Sequence, residues 1–216
     1  MKVMQCWDDG VANDVRLAGL LRKHMAKATF NIIPETGERP RGGGGWIFNE
    51  FKVEKLPLNE MRDVYKGFKV AGHGGIKLSL IPADKLKIEL RENKALIKDH
   101  FGQDKCGYAY PGGDYNDEVK IAVRDAGYLY ARTCKNIDDT LPLDDPMALH
   151  SHCHFLNPEF WSKYEKVREL DGIFYFWGHS YEMKNDEVLW NEFESKLARI
   201  SEDTNVEWID IIDLFV

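Results

Sequence analysis

Apolar runs of strand length alternate with helical stripes along most of the chain. Residues 2–7 read as a buried strand, followed from about Asn13 by a helix that carries Leu17, Leu20, Leu21 and Met25 on one face. Residues 27–33 and 68–72 give the next two strands. Pro82 then opens a helix with the stripe Leu86, Leu90, Ile97 and Phe101, closed by Gly102. After a strand at 106–110, Asn116 caps a helix bearing Val119, Ala122, Val123 and Ala126, and Gly127 stops it. Strands at 128–133, 147–153, 172–177 and 206–209 are separated by helices near 158–170 and 186–200. The pattern breaks only at 35–57, where four glycines at 42–45 precede Trp46, Ile47 and Phe48, and this predicts a long loop or insertion.

Seven or so strands alternating with helices predict an α/β fold: a mainly parallel sheet, closed or nearly closed into a barrel, with helices outside. Chemistry belongs where strands hand over to the loops that follow them. Length and composition leave this frame intact. The 216 residues, 44% hydrophobic and 30% charged, suit one domain over 1–216. A formal net charge of -7 provides no basic stripe, which argues against nucleic acid or anionic membrane as main partner and leaves oligomeric state open. No apolar run is long enough to span a bilayer and no leader opens the sequence, so a cytoplasmic location is expected. Cys6, Cys106, Cys134 and Cys153 are widely spaced and form no CxxC pair, the pattern of buried reduced thiols.

The ends of the strands hold the candidate chemistry. Asp8-Asp9-Gly10 closes the first strand with two adjacent carboxylates that point to different sides, so each can take its own role. His73, Pro111-Gly112-Gly113 and Gly178-His179-Ser180 close three others, and an Asp with several His gathered at one end makes a metal site. Each piece alone also fits a turn or a structural histidine. His150, His152 and His154 share one face if their segment is extended, which suits either a transition metal or a plain edge strand. His24 and His100 fall on helices and read as structural.

Taken in order, Trp7-Asp8-Asp9-Gly10, Lys27-Ala28-Thr29-Phe30-Asn31, Gly72-His73, Ala109-Tyr110-Pro111-Gly112-Gly113, Gly127-Tyr128 and Gly178-His179 resemble the polysaccharide deacetylase family, the NodB homology domain, over roughly 2–180. The resemblance implies a distorted (β/α) barrel of seven or eight strands and a divalent metal, often zinc, serving hydrolysis of N-acetyl groups on saccharides. It makes Asp8 the general base, Asp9 and His73 metal ligands, His179 the acid that protonates the leaving amine, and the N–H of Gly112 an oxyanion donor. Trp46, Tyr110 and Pro111 are the expected substrate-binding residues. Asp8→Asn is then expected to keep fold and metal while losing hydrolysis.

Three departures from the family pattern stand out. Lys77 occupies the place of a second histidine ligand, and a protonated lysine offers no lone pair, so His152 or His154 is the expected substitute. Ala109 stands where an arginine usually orients the catalytic aspartate. The aspartate that tunes the acid histidine has no clean match, since Asp138, Asp139, Asp144 and Asp145 read as a solvated loop. An O-acetyl esterase, or a carbohydrate-binding protein on a scaffold that has lost catalysis, are the alternatives to an N-deacetylase.

Overall fold

The computed structural model describes residues 1–33 and 44–216. Eight strands lie side by side, every neighbouring pair parallel. In chain order the elements are β1 (Lys2–Asp9), α1 (Asp14–Lys23), β2 (Thr29–Ile32), β3 (Gly45–Phe48), β4 (Phe51–Glu54), α2 (Leu58–Val64), β5 (Lys69–Gly72) and α3 (Ala83–Phe101). There follow β6 (Tyr108–Ala109), α4 (Asp117–Asp125), β7 (Ala131–Asn136), β8 (Leu149–Ser151), β9 (Cys153–His154), α5 (Phe160–Glu169), β10 (Ile173–Gly178), α6 (Glu187–Glu202) and β11 (Glu207–Trp208). The sheet runs β8-β7-β6-β5-β2-β1-β10-β9, and β11 adds to the start of β1.

Its two ends are one stretch of chain. Residues 149–151 pair with β7 and residues 153–154 with β10, so the segment kinks at His152 and closes the barrel covalently. The extended strand expected at 147–153 is therefore two short ones, and His150, His152 and His154 do not form a ladder on one face. β1 is buried along Val3–Trp7 because helices cover its outer face and the barrel interior its inner one, the pattern expected of a parallel strand.

Helix ends follow their local chemistry. The Asn116 side chain accepts the Val119 N–H at 2.9 Å, Asp186 caps α6 in the same way, and Gly102 takes the left-handed conformation after α3. Leu17 and Leu21 face the core from α1 as expected, with Ala18 beside them and Leu20 partly buried, but Met25 lies past the helix end and is 85% exposed. The segment expected as a loop has more structure than its pattern indicates: β3 and β4 make an antiparallel hairpin, and α2 follows it. The first two glycines of the run lie outside the described residues. None of the four cysteines is in a disulfide, and among the described residues no helix is long and apolar enough to cross a membrane.

Candidate active site

A cleft of about 670 Å³ opens at the C-terminal ends of the strands, lined by Asp9, Trp46, Lys55, His73, Pro111, Gly112, His179 and Tyr181. The first strand ends in two carboxylates in different environments, of which Asp9 lines the cleft. Asp8, at 2% exposure, is inside the barrel, where its Oδ1 accepts from the Asn31 side chain at 2.7 Å and its Oδ2 is paired with the Arg132 guanidinium. Asp9 turns outward with φ +84°, a strained value for a non-glycine residue, and Gly10 continues the turn at φ +68°. Burial opposes ionisation of Asp8, but Arg132, His73, His179 and the Asn31 amide outweigh it and hold the carboxyl well below its usual range. Asp9 moves the other way: burial, helped by the Asp8 charge, raises it against the pull of His73 and His179.

Arg132 was not among the residues the sequence singled out. It is 1% exposed and stacks on Trp177 at 4.6 Å, and in the β6–β7 register it is the partner of Ala109. The guanidinium missing from position 109 is thus supplied by the facing residue on the next strand. The signal available in sequence was a lone arginine within the apolar stretch Tyr128-Leu129-Tyr130-Ala131-Arg132, since a charge inside a buried strand requires a counterion.

His73 follows β5 directly. Its Nδ1 lies 2.7 Å from the Ala109 carbonyl and must donate to it, which leaves the Nε2 lone pair facing Asp9 Oδ1 at 3.5 Å. Two ligands about 2.1 Å from a common ion at a tetrahedral angle stand ~3.4 Å apart, so Asp9 and His73 have the spacing and donor chemistry of a divalent metal site. His179 follows β10, with Nε2 3.9 Å from both Asp8 Oδ2 and Asp9 Oδ2. Burial works against charging its ring, yet Glu182, Asp8 and Asp9 outweigh burial and raise its pKa above the ordinary histidine value.

Neither histidine expected to replace the missing ligand is among the residues that line the cleft with Asp9 and His73. His152 is fully buried at the kink: Nε2 donates to the Asp139 carbonyl at 2.7 Å and Nδ1 accepts the Tyr175 N–H at 3.0 Å, so no lone pair is left. His154 points to Glu182, with Nε2 2.7 Å from Oε2. Tyr110 is also reassigned, because it is wholly buried, donates its hydroxyl to the Met147 carbonyl at 2.9 Å and stacks on Tyr115. It is core, whereas its neighbours Pro111 and Gly112 reach the cleft; Gly112 takes φ +61° in the turn there. Trp46 stands at the rim, edge-on to Tyr181 at 5.1 Å. Asp138 and Asp139 pair with Lys163 and Lys166 on the surface, and the acid that faces His179 is Glu182.

A second buried acid secures the loop that carries His179. Asp14, at the start of α1, accepts from Ser180 Oγ at 2.5 Å, Tyr65 OH at 2.6 Å and the Val11 N–H at 3.1 Å. Burial outweighs these three bonds and pushes its pKa up to about 7. The folded state therefore keeps a proton that the unfolded chain releases near pH 4, so this group's contribution to stability falls as pH rises from about 4 to about 7, by ~1.4 kcal/mol per pH unit at most. Urea unfolding at pH 5 and pH 7 should show Asp14→Asn losing less stability over that interval than wild type, by on the order of 2 kcal/mol. Equal pH slopes in the two proteins would show that Asp14 ionises freely in the fold.

Residues 1–131 match the family described as polysaccharide deacetylase. Among curated proteins none matches the chain in sequence. Among solved structures, a Mycobacterium smegmatis protein assigned to the polysaccharide deacetylases superposes with a TM-score of 0.68 at 14% identity, covering 99% of this chain and 88% of that one. A family 4 acetyl xylan esterase from Clostridium thermocellum, in complex with cobalt, gives 0.60 at 14% identity, covering 100% and 90%. The Streptococcus pyogenes deacetylase PplD, in complex with acetate, gives 0.54 at 21% identity over 67% of this chain, which spans 61% of that protein. At these identities the structures establish a shared barrel.

Proposed function

Because the chain belongs to the polysaccharide deacetylase family, we propose that it is a metal-dependent hydrolase removing N-acetyl groups from a saccharide. One observation carries this reading: a metal-type pair, Asp9 and His73, lines one cleft with His179, whose Nε2 is 3.9 Å from Asp9 and from the buried, charge-clamped carboxylate Asp8. The cobalt held by the Clostridium thermocellum esterase supports a divalent ion, and zinc is the proposed one. A bound ion supplies polarisation of the acetyl carbonyl and a lower pKa for the attacking water.

The chain's own residues do the rest. Asp8, kept anionic by Arg132 and Asn31, takes the proton from the attacking water. Gly112 lines the cleft, and its N–H is the proposed donor to the oxygen that gains charge. His179 gives the proton at Nε2 to the departing nitrogen as the C–N bond breaks. Acetate and a free amine leave, and Asp8 and His179 regain their starting states by exchange with solvent.

Acetate release from N-acetylglucosamine oligomers and from acetylated xylan, with zinc-loaded and chelator-treated protein, tests this. The oligomers should be hydrolysed only by the loaded protein; preference for acetylated xylan would make it an O-acetyl esterase. Lys77 favours a second reading, a carbohydrate-binding protein without catalysis. Sugar binding without zinc affinity or acetate release would establish that reading instead. Trp46→Ala should raise KM for an oligosaccharide about three- to tenfold with little change in kcat, the loss of one stacking face; an unchanged KM would leave Trp46 with its packing against Tyr181 alone.

A further inference from the structure

We propose that Glu182, with His154 behind it, is the positioning residue for His179, fixing which ring nitrogen faces the cleft and so serving proton delivery to leaving groups that need one. This rests on His179 being the acid of the proposed hydrolysis.

His179 precedes a single helical turn, Ser180–Met183, and Glu182 comes round beneath it. The Glu182 Oε2 accepts the His179 backbone N–H at 3.1 Å and lies 3.3 Å from His179 Nδ1. The same oxygen lies 2.7 Å from His154 Nε2. His154 arrives from β9, at the position paired with Trp177 on β10, and its ring stands edge-on to Trp177 at 4.8 Å. Its Nδ1 accepts the Leu156 N–H at 3.3 Å, so its proton resides on Nε2, towards Glu182. One carboxylate therefore lies close to ring nitrogens from two strand ends: burial opposes its ionisation, but His154 and His179 outweigh burial and bring its pKa down to about 2.

For His179 the consequence is directional. With Nδ1 turned to Glu182, the ring can present only Nε2 to the cleft, where it sits between Asp8 and Asp9. Among the described residues, His154, His179 and Glu182 are also the one trio of such donors whose ligand atoms all lie within 4.8 Å of one another. The tautomer of His154 argues against an ion there, because the nitrogen facing Glu182 carries a hydrogen and the other lone pair is already engaged.

An amine leaves only with a proton, whereas a nitrophenolate leaves without one. Loss of the positioning carboxylate should therefore hurt the two reactions unequally. The chain loaded with zinc is assayed as wild type, Glu182→Gln and His154→Gln on chitopentaose and on p-nitrophenyl acetate. Glu182→Gln should lower kcat on chitopentaose on the order of 10²-fold with KM little changed, leave the nitrophenyl ester within about threefold, and His154→Gln should fall between. Equal losses on both substrates would make Glu182 a purely structural residue and overturn the proposal.

Imidazole nitrogen NMR gives a readout that does not depend on turnover. Wild-type His179 should carry its proton on Nδ1 when neutral, and Glu182→Gln should mix the two tautomers. An unchanged tautomer overturns the positioning role. An inactive wild type with the expected spectra overturns the hydrolase reading while the positioning geometry stands. A zinc site that survives Asp9→Ala but is lost in His154→Ala would show that the trio binds metal, and would also overturn it.

Discussion

Asp8→Asn should abolish deacetylation, by about 10³-fold or more, and should also cost the fold about 3–5 kcal/mol. The second effect is absent from the sequence-level expectation that this variant keeps its fold, and it follows from Arg132. Both partners of this ion pair are almost wholly buried, so neutralising Asp8 leaves a guanidinium inside the barrel with no counterion. Adding Arg132→Met should restore most of the stability, because methionine fills similar space without charge, while activity stays lost. Denaturant unfolding, zinc content and acetate release on the single and double variants separate the roles. Recovery of hydrolysis in the double variant would remove Asp8 from the mechanism, and full zinc occupancy in Asp9→Asn would show that the roles of the two aspartates had been reversed.

Lys77→His should tighten zinc binding on the order of 10²-fold or more. Asp9 and His73 are the two proposed protein ligands, and His152 and His154 face other partners. Lys77 follows His73 by four residues, and its side chain runs past Gly112, 3.7 Å from where a Cβ on that glycine would sit. A histidine there would bring a third lone pair towards the cleft, and three protein ligands are the usual complement of a catalytic zinc site. Calorimetric zinc titration of wild type, Lys77→His and His154→Ala should give a large gain in the first variant and no loss in the second. No gain together with a loss in His154→Ala would show that the ligand set includes His154 after all.

Much of this site could be read from the chain because parallel strands announce their own ends. Asp8-Asp9-Gly10, His73, Gly112 and His179 each follow an apolar run directly, and a parallel barrel gathers all such ends at one mouth. What escaped depends on geometry across strands. Arg132 matters through its register with Ala109, and no local pattern encodes register between β6 and β7. Glu182 lies three residues after His179, the spacing of a capping pair, and went unnoticed because histidine is not an ordinary cap. The histidine series at 150, 152 and 154 misled because period-two reasoning assumes an unbroken strand, and the chain bends at His152 to join two neighbours. The hairpin and α2 were missed for the opposite reason, since residues around the glycine run show no clear period.

The pairing of Ala109 with Arg132 also bears on how relatives of this chain should be compared. In a parallel ladder two facing residues share almost the same place in space while lying 23 positions apart in this sequence. A guanidinium can therefore change its address in the chain without changing its location beside Asp8. Judged column by column, such a protein scores as having lost an essential cation; judged rung by rung, it has kept it. Relatives with alanine in the first column and arginine in the second would preserve the ion pair, and those with a small neutral residue in both would have given up the clamp.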